Sequence, residues 1–409
     1  MNTSYILLII VITILLILVI LPFINLLITD NFTNGSGYGF NVDNHRKLTT
    51  ITGLSPIAKA SDFKLLSLMS KIKYSFTKPV SAYIIDKNDI DPVPKNNNVN
   101  KNIILFPGNT DYVLKQNDLE VWPRNAQNID NKKNADVHNN NGGHFSVIRT
   151  LLKNVGYTEN ENVNSILYDF REFDIEQILM KFKNYLKNDT VIIAYDFGAV
   201  IANICINRLS DDEKNKIEKF LLICPTIGGV PMTLRDYFTN SIITPQIIEN
   251  YHSILMSMPV ESMYKNPVAI YNNLSYKATT NSLSKLLEYE NKPSELFKEL
   301  RRLQEESLNN PGVNCIIIGN NDFSTPISYD FSDDLKKLPV RYCSNINNIQ
   351  DNEMFEGIQG VGDKIVPYNS ISQLHNMWND NSKLEIIKDK DHFTILKSYE
   401  LALIIMANI

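Results

Sequence analysis

Residues 190–203 read Thr-Val-Ile-Ile-Ala-Tyr-Asp-Phe-Gly-Ala-Val-Ile-Ala-Asn, and no other stretch limits the fold as tightly. Val191, Ile192 and Ile193 make a short β-branched run, of the kind that becomes a strand buried on both faces of a parallel sheet. From Ala199 onward the pattern is that of a helix apolar on most sides. Between the two, Ala194-x-Asp196-x-Gly198 places small residues two before and two after a central acid. That spacing lets a strand turn sharply into a helix without Cβ clashes and lifts the central side chain above the sheet, as in a nucleophile elbow. A plain strand–turn–helix crossover has the same local pattern, so the rest of the chain must decide. The residue at the tip of such an elbow is usually Ser; here it is Asp196, and every functional expectation turns on that difference.

Strands and helices alternate on either side. Residues 102–106 are apolar and run into Pro107-Gly108-Asn109-Thr110. A strand ending in such a turn suits the oxyanion side of an esterase site, where a loop N–H pairs with the N–H of the residue after the elbow. Asn109, Thr110 and Phe197 are the candidate donors, although an ordinary βα turn fits the same residues. Helical spacing over 144–155, closed by Gly156-Tyr157, is followed by a strand at 166–168 and an amphipathic helix over 175–186. Further apolar runs at 220–224, 313–319, 360–367 and 383–388 read as strands, and 394–407 as a C-terminal helix. The spacing predicts an α/β fold over 100–409, a mostly parallel sheet with helices on both faces. Residues 232–310, with Pro breaks and many aromatics, are expected as a helical cap. Residues 125–143, dominated by Asn, Asp, Lys and Gly, are expected as a mobile surface insertion.

Residues 5–28 carry no charge, and the run exceeds the roughly 20 residues that span a bilayer core. A signal peptide would have a basic start and a shorter apolar region, so 1–29 is expected as an uncleaved single-pass anchor. Residues 30–99 are then a tether and N-terminal extension, with helical spacing at 61–72 and a strand at 80–85. The side of the membrane and the oligomeric state stay open. Of the 409 residues 44% are hydrophobic, and the net charge of −5 without a basic stripe makes nucleic acid an unsuitable partner. Cys205, Cys224, Cys315 and Cys343 read as small buried side chains, and neither Cys-x-x-Cys nor His-x-x-x-His occurs, so no metal or cofactor is expected.

A triad on this topology runs nucleophile, acid, histidine, each just after a strand. Asp196, Asp363 and His392 fall in that order, Asp363 in a Gly-flanked turn and His392 ahead of the last helix. Singly, Asp363 also reads as a solvated turn residue and His392 as a helix-start residue.

Several blocks, in order, resemble the lecithin:cholesterol acyltransferase family, which includes phospholipid:diacylglycerol acyltransferases and lysosomal phospholipase A-type acyltransferases. Ile104-Leu105-Phe106-Pro107-Gly108 is similar to its first strand and oxyanion turn. Tyr168-Asp169-Phe170-Arg171 resembles its Tyr-Asp-Trp-Arg block, and Pro225-Thr226-Ile227-Gly228-Gly229 its Pro-x-x-Gly-Gly. Gly362-Asp363-Lys364-Ile365-Val366-Pro367 resembles the turn holding its triad acid, and His392-Phe393-Thr394-Ile395-Leu396 the His-x-x-Ile-Leu holding its triad histidine. The resemblance covers 102 to the C-terminus. It implies an α/β-hydrolase fold, acyltransferase or phospholipase-type activity on lipid esters, and membrane lipid with an acyl-acceptor alcohol as partners.

The family's Gly-His-Ser-x-Gly is Ala194-Tyr195-Asp196-Phe197-Gly198 here, and no cysteine pair stands where the family closes its lid loop. A carboxylate attacking an ester gives a mixed anhydride, an uphill product, whereas carboxylates do attack sp³ carbon on this fold in haloalkane dehalogenases and epoxide hydrolases. Their His-Asp-Trp-Gly is similar to Tyr195-Asp196-Phe197-Gly198. Three readings follow: a lipid-ester enzyme with an altered nucleophile, a pseudoenzyme that binds lipid or a protein partner through the old pocket, and an Asp-nucleophile hydrolase. Asp196 and Asp363 beside His392 would also favour imidazolium, the wrong state for a base at neutral pH.

Overall fold

The computed structural model describes residues 99–109, 111–122, 134–139, 143–239, 251–336, 341–343 and 361–409. The expected anchor, tether, helix at 61–72 and strand at 80–85 lie outside these residues, as does Thr110. Among the described residues no helix is long and apolar enough to cross a membrane.

Six parallel strands form the central sheet: β1 (Asn102–Phe106), β2 (Val163–Ser165), β3 (Thr190–Tyr195), β4 (Ile217–Ile223), β5 (Cys315–Gly319) and β6 (Ser382–Ile386). Their spatial order is β2-β1-β3-β4-β5-β6. Successive side chains feed two separate cores, because a strand's side chains alternate between faces. Ile104, Phe106, Ile192, Ala194, Phe220 and Leu222 enter one core, and Ile103, Leu105, Val191, Ile193, Leu221 and Ile223 the other. Helices α1 (Ser146–Asn154) and α6 (Tyr399–Met406) cover the second face. Helices α2 (Ile175–Tyr185), α3 (Phe197–Asn207), α4 (Ser294–Glu306) and α5 (Tyr368–Trp378) cover the first. β2 sits three residues before the expected strand; its register with β1 runs from Ile103 opposite Val163 to Leu105 opposite Ser165, and the Ile166 N–H still donates to the Leu105 carbonyl before β1 turns at Pro107.

The chain passes from β1 outward to β2, then crosses back to β3 on β1's other side. Beyond the carboxyl ends of β1 and β3 lies the switch point of the sheet, the crevice where α/β folds place their ligands. The Pro107–Gly108–Asn109 loop and Asp196 occupy it.

Two small sheets depart from the expectations. Within the stretch expected as a mainly helical cap, Ala269–Tyr271 and Leu274–Tyr276 form a hairpin, joined in a four-stranded sheet by Ser328–Asp330 and Arg341–Cys343. Its two-residue turn is Asn272-Asn273, both at positive φ (51° and 60°), the conformation that a type I′ hairpin demands and Asn tolerates. Near the oxyanion turn, Tyr112–Gln116, Leu119–Trp122 and Asp136–Asn139 form an antiparallel sheet around Asn117-Asp118, again at positive φ. Asp136–Asn139 is thus strand inside the insertion expected to be mobile. The C-terminal part of the expected cap belongs to the body: Asn203 of α3 donates to the Ser307 and Asn309 carbonyls just past α4.

Candidate active site

Asp196 stands at φ 53°, ψ −127°, between the last residue of β3 and the first turn of α3. That left-handed backbone is strained for a residue with a Cβ and persists only where the surroundings fix it. The Asp196 N–H donates to the Ile223 carbonyl, and its own carbonyl accepts from Ala199 and Thr226. Gly198 explains the small residue two positions on: a Cβ there would lie 2.2 Å from the Phe106 carbonyl oxygen, because α3 starts against the end of β1.

The loops after β5 and β6 bring the other two residues to this point. Asp363 Oδ1 accepts from the Ile365 and Val366 N–H groups at 2.9 and 2.6 Å, and Oδ2 lies 2.8 Å from His392 Nδ1. An ionised carboxylate only accepts, so Nδ1 carries the proton and Nε2 faces the elbow. His392 Nε2 is 3.7 Å from Asp196 Oδ1, too far for a hydrogen bond and close enough for a charge interaction. All three side chains are buried, Asp196 being 4% exposed, His392 1% and Asp363 0%. The His392 N–H donates to the Asp363 carbonyl at 2.9 Å, and Lys364 Nζ pairs with Asp391 Oδ2 at 3.0 Å, so the acid and histidine loops are clamped by residues adjacent to each.

The backbone N–H groups of Phe197 and Asn109 face the Asp196 carboxylate closely enough to pull its pKa down. Two of the three candidate oxyanion donors therefore converge, and the group they face is the chain's own side chain. Asn109 is fixed in turn: its carbonyl accepts from Trp122 Nε1 at 2.9 Å and its side chain from the Tyr112 hydroxyl. Burial raises the Asp196 pKa to about 6, against the pull of His392 and of these two N–H groups. Burial opposes protonation of His392, but the charge and hydrogen bond of Asp363, with Asp196 behind them, leave its pKa raised.

Three further residues belong to the site and were missed in the sequence. Cys224, just past β4 with φ 45°, brings its thiol to within 4.8 Å of the Asp363 and His392 ligand atoms; burial is the main reason that thiol stays protonated. The Tyr195 hydroxyl donates to the His392 carbonyl at 3.1 Å, with its ring 5.2 Å from the imidazole. Asp111, buried beside Gly108, accepts the Phe145 N–H on Oδ1 at 2.8 Å. The position of Asp111 three residues after Gly108 in the oxyanion turn was the one sequence signal for it. Cys224, Asp363 and His392 are, among the described residues, the one cluster with ligand atoms close enough for a metal ion. Holding one would require breaking the His392–Asp363 hydrogen bond and ionising a thiol that burial keeps protonated, so this donor set suits a hydrogen-bonded acid better than a cation.

No protein-family model matches the chain, and no curated protein does. Among solved structures it is similar to the Tle4–Tli4 complex, with a TM-score of 0.45 at 9% identity over 60% of this chain and 68% of that one. A hydrolase from Oleispira antarctica gives 0.32 at 10% identity over 76% and 91%, and MenH from S. aureus 0.33 at 10% over 77% and 96%. The strand order, the elbow after β3 and the loops after β1, β5 and β6 are those of an α/β-hydrolase fold.

Proposed function

We propose that the chain is a hydrolase in which the Asp196 carboxylate is a covalent nucleophile toward sp³ carbon. The observation that carries this reading is the carboxylate itself at the elbow tip, 3.7 Å from His392 Nε2 and faced by the N–H groups of Phe197 and Asn109. In a serine enzyme the same two donors wait for the oxyanion of the substrate. Here they orient the attacking group and stabilise its carbonyl oxygen once it is esterified.

One carboxylate oxygen attacks the substrate carbon, a C–O bond forms, and the leaving group departs with its electron pair. His392 Nε2 then takes a proton from water, and the hydroxide adds to the Asp196 carbonyl carbon. The tetrahedral oxyanion sits between the Phe197 and Asn109 N–H groups. Collapse releases the alcohol, protonated by the imidazolium, and leaves Asp196 as the carboxylic acid, which gives water's other proton to solvent and returns to the carboxylate. The expected difficulty of a protonated His392 resolves within this sequence. Esterification removes the Asp196 charge, one of the charges holding the His392 pKa up, so the imidazole becomes a freer base when the second step needs one.

The blocks shared with the lecithin:cholesterol acyltransferase family favour a second reading: a relative of lipid acyltransferases and phospholipases, bound to membrane lipid, in which the serine has been lost. Incubating the full chain with 1-bromooctane, and separately with phosphatidylcholine vesicles, separates the two. An octyl ester on Asp196, absent in Asp196→Asn, supports the carboxylate nucleophile. Absence of the adduct, with esterase activity emerging only in Asp196→Ser, would replace it with the lipid-binding reading.

A further inference from the structure

Asp111 has one carboxyl oxygen on the Phe145 N–H, while its Oδ2 is buried and without a hydrogen-bond partner. Buried polar atoms in folded proteins nearly always have one. The orphan oxygen lies beside the elbow: a Cβ on Gly108 would stand 3.3 Å from Asp111 Oδ2 and 2.9 Å from Asp196 Oδ2. A glycine thus separates two carboxyl groups that do not bond each other.

We propose that Asp111 is the general acid of this site, protonating the oxygen that leaves when Asp196 attacks, and that the substrates are accordingly epoxides. The inference rests on the carboxylate-nucleophile reading above. An alkyl halide departs as a stable anion, whereas a ring-opened epoxide leaves an alkoxide that needs a proton. In the first step the Asp196–carbon bond forms and the epoxide C–O bond breaks. The electron pair goes to the ring oxygen, and the Asp111 Oδ2 proton goes with it. Hydrolysis of the hydroxyalkyl ester then yields a vicinal diol, and the net proton returns to Asp111, so that epoxide plus water balances diol.

The surroundings keep Asp111 protonated near neutrality. Burial raises its pKa to about 7, against the Phe145 N–H, Arg149 and His392, while Asp196 pushes it further up. The Tyr168 and Tyr195 phenols, near the same two carboxyls, are held protonated by burial and add no charge.

The test compares 1,2-epoxyoctane with 1-bromooctane on the full chain, reading the rate of ester formation on Asp196 by mass spectrometry. Asp111→Asn keeps the acceptor for Phe145 and removes the proton. It is expected to slow alkylation by the epoxide about a hundredfold, as loss of a general acid does, and alkylation by the bromide by less than about threefold. In the wild type, which removes any question of folding, the epoxide reaction should decline as pH rises past about 7 while the bromide reaction stays level. Equal losses with both probes in the variant, or parallel pH profiles, would overturn the role of Asp111. Alkylation by bromide alone would overturn the epoxide assignment and leave the Asp196 nucleophile standing; alkylation by neither would overturn both.

Discussion

Asp196 combines three conditions that rarely meet at one carboxylate: a strained left-handed backbone, near-complete burial and two backbone N–H groups that draw its pKa down. The first two raise the energy of the folded chain and the third recovers part of it, a balance typical of functional positions. It has a consequence for stability. Asp111 and Asp196 titrate at about 7 and about 6 in the folded chain, against an ordinary carboxylate value near 3.8. Between those values the folded chain holds protons that the unfolded chain has lost, so their contribution is full below about pH 4 and is lost as pH rises through 6 to 7. His392, raised as well, acts in the same direction from 6.5 upward. His144, lowered to about 4 mainly by burial, acts oppositely below 6.5. Comparing wild type with Asp111→Asn isolates one group. Lowering the pH from 8 to 5.5 should stabilise the wild type relative to the variant by on the order of 2 kcal/mol in denaturant melts. Parallel pH profiles would show that Asp111 is ionised in the folded chain.

At the level of elements, the elbow depends on how closely α3 can approach β1. A Cβ on Gly198 would press on backbone, the Phe106 and Pro107 carbonyls at 2.2 and 2.5 Å, and backbone cannot swing aside as a side chain does. Gly198→Ala is expected to cost several kcal/mol in urea unfolding, well beyond the helix-propensity gain of Ala; an unchanged midpoint would mean that α3 is free to shift. The same element shows what a sequence exposes. The β3–Asp196–α3 unit was readable because strand pattern, small residues and helix pattern all agree within fourteen residues. Asp363 and His392 were readable from their places after late strands. The two hairpins were not, because Asn272-Asn273 and Asn117-Asp118 are lost among many other Asn residues in this chain. The reach of Cys224 to Asp363 could not be read either. It depends on β4 and β5 being neighbours, and strand order is a property of the sheet rather than of either segment.

Across the whole molecule, the topology brings loops from four strands to one end of the sheet: the oxyanion turn, the elbow, the acid turn and the histidine loop. Three of the blocks on which the sequence resemblance rests, at 104–108, 362–367 and 392–396, lie on or beside those loops, which is why the fold could be read there while the chemistry turned on Asp196. If that carboxylate forms a bond to substrate, one of its oxygens leaves in the product alcohol and is replaced from water. A single turnover of excess full chain with 1-bromooctane in ¹⁸O-labelled water, followed by mass spectrometry of the peptide containing Asp196, reads this directly. The label is expected in the Asp196 carboxylate, with the octanol unlabelled. Label in the octanol and none in the peptide would mean that water attacks the substrate itself, and Asp196 would not be a nucleophile.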